Sequence, residues 1–221
     1  MKILVVGNGA REHTICWKLK QSSKLSKLYC APGNAGISQI AECVDIKADD
    51  LQNLVEYSVN NNIELVVVGP EVPLVAGLVD MLNEKEIMAF GPVKAGAKFE
   101  GSKSYSKDFM KKYSIPSARY EAYTDSQKAI EDLNKFNTPI VVKADGLAAG
   151  KGVLICETIT EAKEAIKGIM DKKQFGDAGN TVVIEEFLRG IEASLLCFVD
   201  GKNIIPMESA RDYKKAYDED K

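Results

Sequence analysis

The chain opens on a continuous apolar run, Lys2–Val6, rich in β-branched residues, and then turns polar. Such a run reads as a strand buried on both faces. A helical pattern follows over Arg11–Gln21, and Lys27–Ala31 reads as a second short strand. In Asp49–Asn60 the apolar residues Leu51, Leu54, Val55 and Val59 recur at helical spacing, with Asp49 or Asp50 as the N-cap. Glu64–Val68 is another buried-strand run, ending at Gly69-Pro70, and Leu74–Leu82 reads as one helix. This alternation predicts a parallel sheet covered by helices on both faces. Right-handed crossovers then gather the C-terminal ends of its strands, and the loops after them, along one edge.

The rhythm changes at Gly91-Pro92. Helical patterns over Val93–Phe99 and Ser102–Tyr113 follow closely, and Ile115-Pro116 stops the second. From Ala118 the order is strand, helix (Ser126–Phe136), strand (Ile140–Lys143), glycine-rich loop, strand (Val153–Cys156), helix (Thr160–Met170) and strand (Thr181–Glu185). That is a compact α+β unit. Ala193–Val199 and Asn203–Pro206 predict a hairpin around Asp200-Gly201, and the remainder, Arg211 to Lys221, is highly charged.

Composition narrows the partners. Apolar residues make up 45% and charged residues 28%, with 29 basic against 32 acidic side chains and a formal charge of −3. No basic field exists to hold a nucleic-acid backbone, so small molecules are the expected partners. The five cysteines (Cys16, Cys30, Cys43, Cys156, Cys197) show no C-x-x-C spacing and read as reduced thiols in a reducing compartment. The leading apolar run is too short for a signal peptide or a membrane span. The expected location is the cytoplasm, without a membrane partner.

Candidate chemistry lies in the loops. Gly7-Asn8-Gly9-Ala10-Arg11-Glu12-His13 joins the first strand to a helix, where backbone N–H groups and the helix's positive end suit an anion. Glu12 stands where a dinucleotide fingerprint has its third glycine, which argues against NAD. A tight turn with surface charges is the plainer reading, and His13, the sole histidine, reads as a helix-surface residue. Pro32-Gly33-Asn34-Ala35-Gly36 and Gly69-Pro70-Glu71-Val72-Pro73-Leu74 fall at the same edge, with Glu71 able to recognise an amine or a sugar hydroxyl. Three such loops together point to a ligand crevice.

Val141 to Val153 carries the strongest local pattern. Lys143 ends a buried strand; Ala144-Asp145-Gly146-Leu147-Ala148-Ala149-Gly150-Lys151-Gly152 then lets backbone amides approach a polyphosphate while lysines supply charge. It is not a Walker loop, since Gly152 follows Gly-Lys and no helix opens there. A glycine-rich hairpin is the rival. Downstream, Val182-Val183-Ile184 runs into Glu185-Glu186-Phe187-Leu188, with Glu192 beyond, which suits an adenine and ribose site.

In this order and spacing the motifs resemble the ATP-grasp superfamily and, within it, the phosphoribosylamine–glycine ligase family. The segments that carry it are residues 6–13, 31–36, 68–74, 100–103, 143–152 and 183–188, spread over the whole chain. The resemblance implies an α/β fold: a parallel-sheet N-terminal domain of the pre-ATP-grasp type (1–100), linker helices (101–120), an α+β ATP-grasp lid (121–188) and the start of the ATP-grasp core (189–221). It implies ATP-dependent ligation of glycine to 5-phosphoribosylamine through glycyl phosphate, in purine biosynthesis. Lys103 and Lys143 would hold phosphates, and Gly146–Gly152, with Ala149, Gly150 and Lys151, would fold over them. Glu185, Glu186, Phe187 and Leu188 would frame adenine, and Glu192 the ribose. Gly9, Arg11, Glu12, Gly33, Asn34 and Glu71 would face the phosphoribosyl substrate. Catalysis would come from positioning and electrostatics, with no protein nucleophile. Mg²⁺ would accompany ATP on ligands beyond residue 221, which makes this chain an incomplete, inactive fragment; Glu208, Asp212 and the terminal acids read as a solvated tail. The alternatives are a non-catalytic ATP-binding module and another ATP-grasp carboxylate–amine ligase.

Overall fold

A computed structural model describes residues 1–211. The first region runs β1 (Lys2–Gly7), α1 (Ala10–Lys20), β2 (Lys27–Pro32), β3 (Glu42–Cys43), α2 (Leu51–Asn60), β4 (Leu65–Val68), α3 (Glu71–Ala76), α4 (Leu78–Glu84) and β5 (Met88–Phe90). Its five strands form one parallel sheet in the order β3-β2-β1-β4-β5. Strand β1 is central, and both its faces are covered. Leu4 and Val6 pack with Leu54, Val55, Leu78 and Leu82 from α2 and α4. Ile3 and Val5 pack on the other side with Cys16 of α1 and Ile37. Double-sided burial is why the run is continuously apolar rather than alternating. Strand order reverses beside β1, so Gly7, Pro32 and Gly69 leave the sheet around a single crevice.

Three details differ from the pattern-based reading. The segment expected as one helix over Leu74–Leu82 is two, α3 and α4, broken at Gly77. Gly77 is left-handed (φ +102°), and its N–H reaches the Pro73 and Leu74 carbonyls, a helix C-cap that only glycine adopts cheaply. Strands β3 and β5, of two and three residues, were not expected; they are too short to leave a periodic signature. For α2 the cap is Asp50, whose carboxylate accepts from the Asn53 N–H.

Two helices connect to the second region, α5 (Lys94–Gly101) and α6 (Lys103–Lys112). Ser102 separates them in extended conformation, and its hydroxyl accepts the Tyr105 N–H at 3.2 Å, so one residue ends one helix and caps the next. Then come β6 (Tyr120–Tyr123), α7 (Ser126–Glu131), β7 (Ile140–Ala144), β8 (Val153–Cys156), α8 (Ile159–Ile166) and β9 (Val182–Glu186). They build an antiparallel sheet in the order β6-β9-β7-β8. Ile140, Val142, Ala144, Val182 and Ile184 face the helices and pack with Ala129, Ile166 and Ile169. The two-residue period turns Val141, Lys143, Val183 and Glu185 to the opposite face.

From Phe187 onward the chain forms a second compact unit. It contains a hairpin, β10 (Cys197–Val199) and β11 (Ile204–Pro206), paired Phe198 to Ile205. Asp200 closes the turn by accepting the Lys202 and Asn203 N–H groups at 2.9 and 2.7 Å, and Gly201 takes φ +90°. The acidic tail from Asp212 lies outside the described residues. No described helix is long and apolar enough to cross a membrane. Cys16, Cys30 and Cys156 are buried, Cys43 and Cys197 are exposed, and all five are free thiols.

Candidate functional site

On the open face of the four-stranded sheet, β7 and β9 bring Lys143 and Glu185 together. Lys143 Nζ lies 3.0 Å from Glu185 Oε2. A third charge joins them: Lys107, buried on α6, also places Nζ 3.0 Å from Glu185 Oε2, and donates to Ser117 Oγ at 2.7 Å. The sequence reading did not single out Lys107. The available signal was its spacing four residues after Lys103, which places both lysines on one face of a helix. Glu185 is 4% exposed, and its Oε1 is buried without a hydrogen-bond partner. Two ammonium groups share one carboxylate oxygen while the other oxygen lacks a donor. A ligand that is anionic at one end and offers an N–H at the other fits this charge pattern. Glu186 points elsewhere; its carboxylate accepts the Arg119 N–H at 2.8 Å.

The glycine-rich loop starts next to this group. Lys103 Nζ donates to the carbonyls of Gly146 (3.0 Å) and Asp145 (3.3 Å). Burial pushes the Lys103 pKa down, opposed by the carboxylates of Asp145 and Glu100; Lys143 lowers it further and Glu185 raises it, in that order of size. Both ends of the loop are tied: the Gly146 N–H donates to the Ala178 carbonyl at 3.2 Å, and the Ala144 N–H to the Gly152 carbonyl at 2.8 Å. Between the ties, Ala149 (φ 49°) and Gly150 (φ 75°) are left-handed, and both are exposed with Lys151. A cavity of about 470 Å³ opens at the root of the loop, lined by Gly101, Asp145, Gly146, Leu147, Asn180 and Thr181 among others; Lys143 and Glu185 lie outside that lining.

At the crevice of the parallel sheet, Glu12 is not a surface charge. Its residue is 4% exposed, and its carboxylate Oε2 accepts the Gly9 N–H at 2.6 Å. The acid three residues into α1 thus reaches back to the helix start, as in half of a capping box. Glu12 is turned inward rather than to the crevice; Oε2 satisfies the Gly9 N–H, while Oε1 is buried without a hydrogen-bond partner. Gly7 and Gly69 make room for it. The carboxylate occupies the anion cradle of the first βα turn, the physical reason a dinucleotide pyrophosphate does not belong there. A methyl group on Gly69 would sit 2.7 Å from Glu12 Cγ and Cδ. Gly69→Ala is therefore expected to destabilise the chain by about 1–3 kcal/mol in urea unfolding. Adding Glu12→Ala should recover part of that loss, because the clash is specific; strictly additive losses would refute this packing account.

The other first-region residues do face outward. Arg11 Nη2 pairs with Glu71 Oε1 at 3.0 Å, linking the first turns of α1 and α3. Burial raises the Glu71 pKa, but its own N–H and Arg11 outweigh that and hold the carboxyl below its usual range. Asn34 donates to the Asn8 carbonyl at 2.8 Å and accepts the Gly36 and Ile37 N–H groups at 2.8 and 2.9 Å, knitting the second loop to the first. Gly33 (φ +72°) donates to the Gly7 carbonyl, and a side chain there would strike Cys43 Sγ. His13 is half-buried against Gly36. Phe187, Leu188 and Glu192 belong to the second unit, where Leu188 and Glu192 are exposed and Arg189 lies 5.6 Å over the Phe187 ring. Among the described residues no group of three or more His, Cys, Asp or Glu could hold a metal ion.

Comparison with known proteins accounts for both regions. Residues 1–100 match the N domain of phosphoribosylglycinamide synthetase, and residues 101–221 match its ATP-grasp (A) domain. The chain is 50% identical over 221 residues to phosphoribosylamine–glycine ligase of Clostridium acetobutylicum, covering 100% of this chain and 53% of that protein. It is 48% identical over 222 residues to the Haemophilus influenzae ligase, again covering all of this chain and 52% of that one. A crystal structure of the Thermotoga maritima ligase superposes with a TM-score of 0.79 at 34% identity, covering 100% of this chain and 52% of that chain. N5-carboxyaminoimidazole ribonucleotide synthetase from the same organism shares the fold at 20% identity (TM-score 0.71, covering 96% of this chain and 53% of that one). The chain spans about half the length of the curated relatives it matches. From end to end, its N-domain and ATP-grasp matches make it a member of the phosphoribosylglycinamide synthetase family.

Proposed function

We propose that this chain supplies the phosphoribosyl-facing domain and the nucleotide-gripping loop of an ATP-dependent ligase that joins glycine to 5-phosphoribosylamine. The observation that carries the reading is the buried Lys107–Glu185–Lys143 cluster with its orphan Oε1. Lys143 and Lys103 hold ATP phosphates, and Glu185 Oε1 accepts an N–H from the adenine amino group. The loop Gly146–Gly152 closes over the phosphates. Phe187, Leu188 and Glu192 keep the adenine and ribose roles of their motif. Arg11, Gly33, Asn34 and Glu71 meet the phosphoribosyl substrate, with Gly9 and Glu12 as the floor beneath it.

A carboxylate is a poor electrophile. Transfer of the γ-phosphoryl group of ATP to the glycine carboxylate gives glycyl phosphate and ADP, and the new acyl group carries a good leaving group. The substrate amine then attacks the acyl carbon, its C–O bond to phosphate breaks, and the nitrogen gives up a proton to form the amide. A closed loop keeps water from hydrolysing the acyl phosphate first. Positioning and charge do this work, without a protein nucleophile.

The expected result for the 221 residues alone is ATP binding without formation of glycinamide ribonucleotide. Titration calorimetry with ATP, and a product assay with ATP, magnesium, glycine and phosphoribosylamine, measure the two halves of that statement. No detectable binding of ATP would remove the nucleotide reading. Robust turnover would remove the idea that residues of the relatives' other half are required. Binding of ATP and no turnover, even when fused to that other half, would favour a non-catalytic ATP-binding module instead.

A further inference from the structure

Every polar atom of Asp145 is engaged, and the partners come from two other segments. Its carboxylate Oδ1 accepts the Ser104 N–H at 2.6 Å, and Oδ2 accepts the Ser102 hydroxyl at 3.0 Å. Its carbonyl accepts the Lys103 N–H at 3.1 Å and Lys103 Nζ at 3.3 Å, and its own N–H donates to the Thr181 carbonyl at 3.0 Å. One residue therefore joins the start of α6, the end of β7 and the approach to β9.

The start of a ten-residue helix offers unpaired N–H groups and a positive end. Here Asp145 fills that position itself, from forty-odd residues away in sequence. A small anion is thereby kept off the first turn of α6. The first turn is also locked to the root of the glycine-rich loop, and with it the backbone of Lys103. From there the Lys103 ammonium reaches back 3.0 Å to the Gly146 carbonyl. Beyond Gly146 the loop has only a local turn, from the Lys151 N–H to the Ala148 carbonyl, before Gly152. Asp145 and Gly146 are the last fixed points before that segment.

We propose that Asp145 is a positioning residue for ATP: it does not touch the nucleotide but sets Lys103 and the loop root where the phosphates are gripped. The inference rests on the ATP reading above. Asparagine could still accept the Ser104 N–H and donate to Ser102 Oγ, so geometry would survive loss of the charge, whereas alanine releases both ties.

The test is a double-mutant cycle on ATP affinity, read by titration calorimetry on the 221-residue chain. Asp145→Ala is expected to weaken ATP about tenfold, and Asp145→Asn by no more than about threefold. Lys103→Ala should weaken it by at least as much as Asp145→Ala. The double variant should bind no worse than Lys103→Ala alone, because Asp145 acts through Lys103. A residue that only stabilised the fold would lower the melting temperature but leave ATP affinity near wild type, or its effect would multiply with that of Lys103→Ala; either result overturns the proposal. If Asp145→Ala does not fold, Asp145→Ser, which retains one acceptor, replaces it in the cycle with the same expectations. An effect of Lys103→Ala without one from Asp145→Ala overturns this inference alone. Unchanged affinity in both Lys103→Ala and Lys143→Ala overturns the ATP reading beneath it.

Discussion

Replacing Glu185 with alanine is expected to lower stability by about 3–5 kcal/mol, because it strips the counter-charge from two lysines at once. Lys107 has an 11% exposed side chain and Lys143 a 23% exposed one, and both lean on the same oxygen. Without the carboxylate, two like charges face each other in a low-dielectric site, with Lys107 left its bond to Ser117 and the Tyr120 ring 5.8 Å away. Glu185→Gln should fall between wild type and alanine: the amide oxygen can still accept one ammonium, but the charge is gone. Urea unfolding with an unchanged slope would measure both. A loss under about 1 kcal/mol for Glu185→Ala would mean that water reaches the cluster freely and that the charges are not coupled.

Lys143→Ala should separate binding from stability. Glu185 would keep Lys107, so the fold loses one partner of a triad rather than its centre. ATP affinity, in contrast, should fall by roughly 1.5–3 kcal/mol, the range for a charge-assisted hydrogen bond, or about ten- to a hundredfold and somewhat more. Lys107→Ala is the natural contrast, since its side chain is the more deeply buried and should cost more stability. Calorimetric titration beside urea unfolding gives both numbers for each variant. Wild-type ATP affinity in Lys143→Ala would take that lysine out of the nucleotide site.

Much of this arrangement could be read from residue order, and what could not has specific causes. The continuous run Lys2–Val6 demanded burial on both sides, and β1 is the middle of its sheet. Lys143 and Glu185 were both legible as strand-end residues. That they meet is a matter of register: Val141 opposite Glu185 and Lys143 opposite Val183, which no local pattern encodes. Lys107 looked like one of many lysines on an exposed helix, since burial of a charge depends on partners brought from Glu185 and Ser117. Glu12 was legible as an interruption of a glycine fingerprint. Its inward turn was not, because the space it fills is set by Gly7 and Gly69, the latter in the loop after β4. Asp145 read as one more residue of a small-residue loop, for the same reason: its partners lie at residues 102–104 and 181.

Strand β9 lies between β6 and β7 in the four-stranded sheet, yet it is the last of the four along the chain. On a ribosome adding about 5–20 residues each second, the parallel sheet has all its strands once Phe90 has emerged. The antiparallel one must wait for Val182–Glu186, several seconds later at roughly those rates. Until then β6 has no neighbour, β7 can pair only with β8, and Lys107 and Lys143 have no acid between them. Birth order thus makes the half that would hold nucleotide the late and vulnerable one during synthesis.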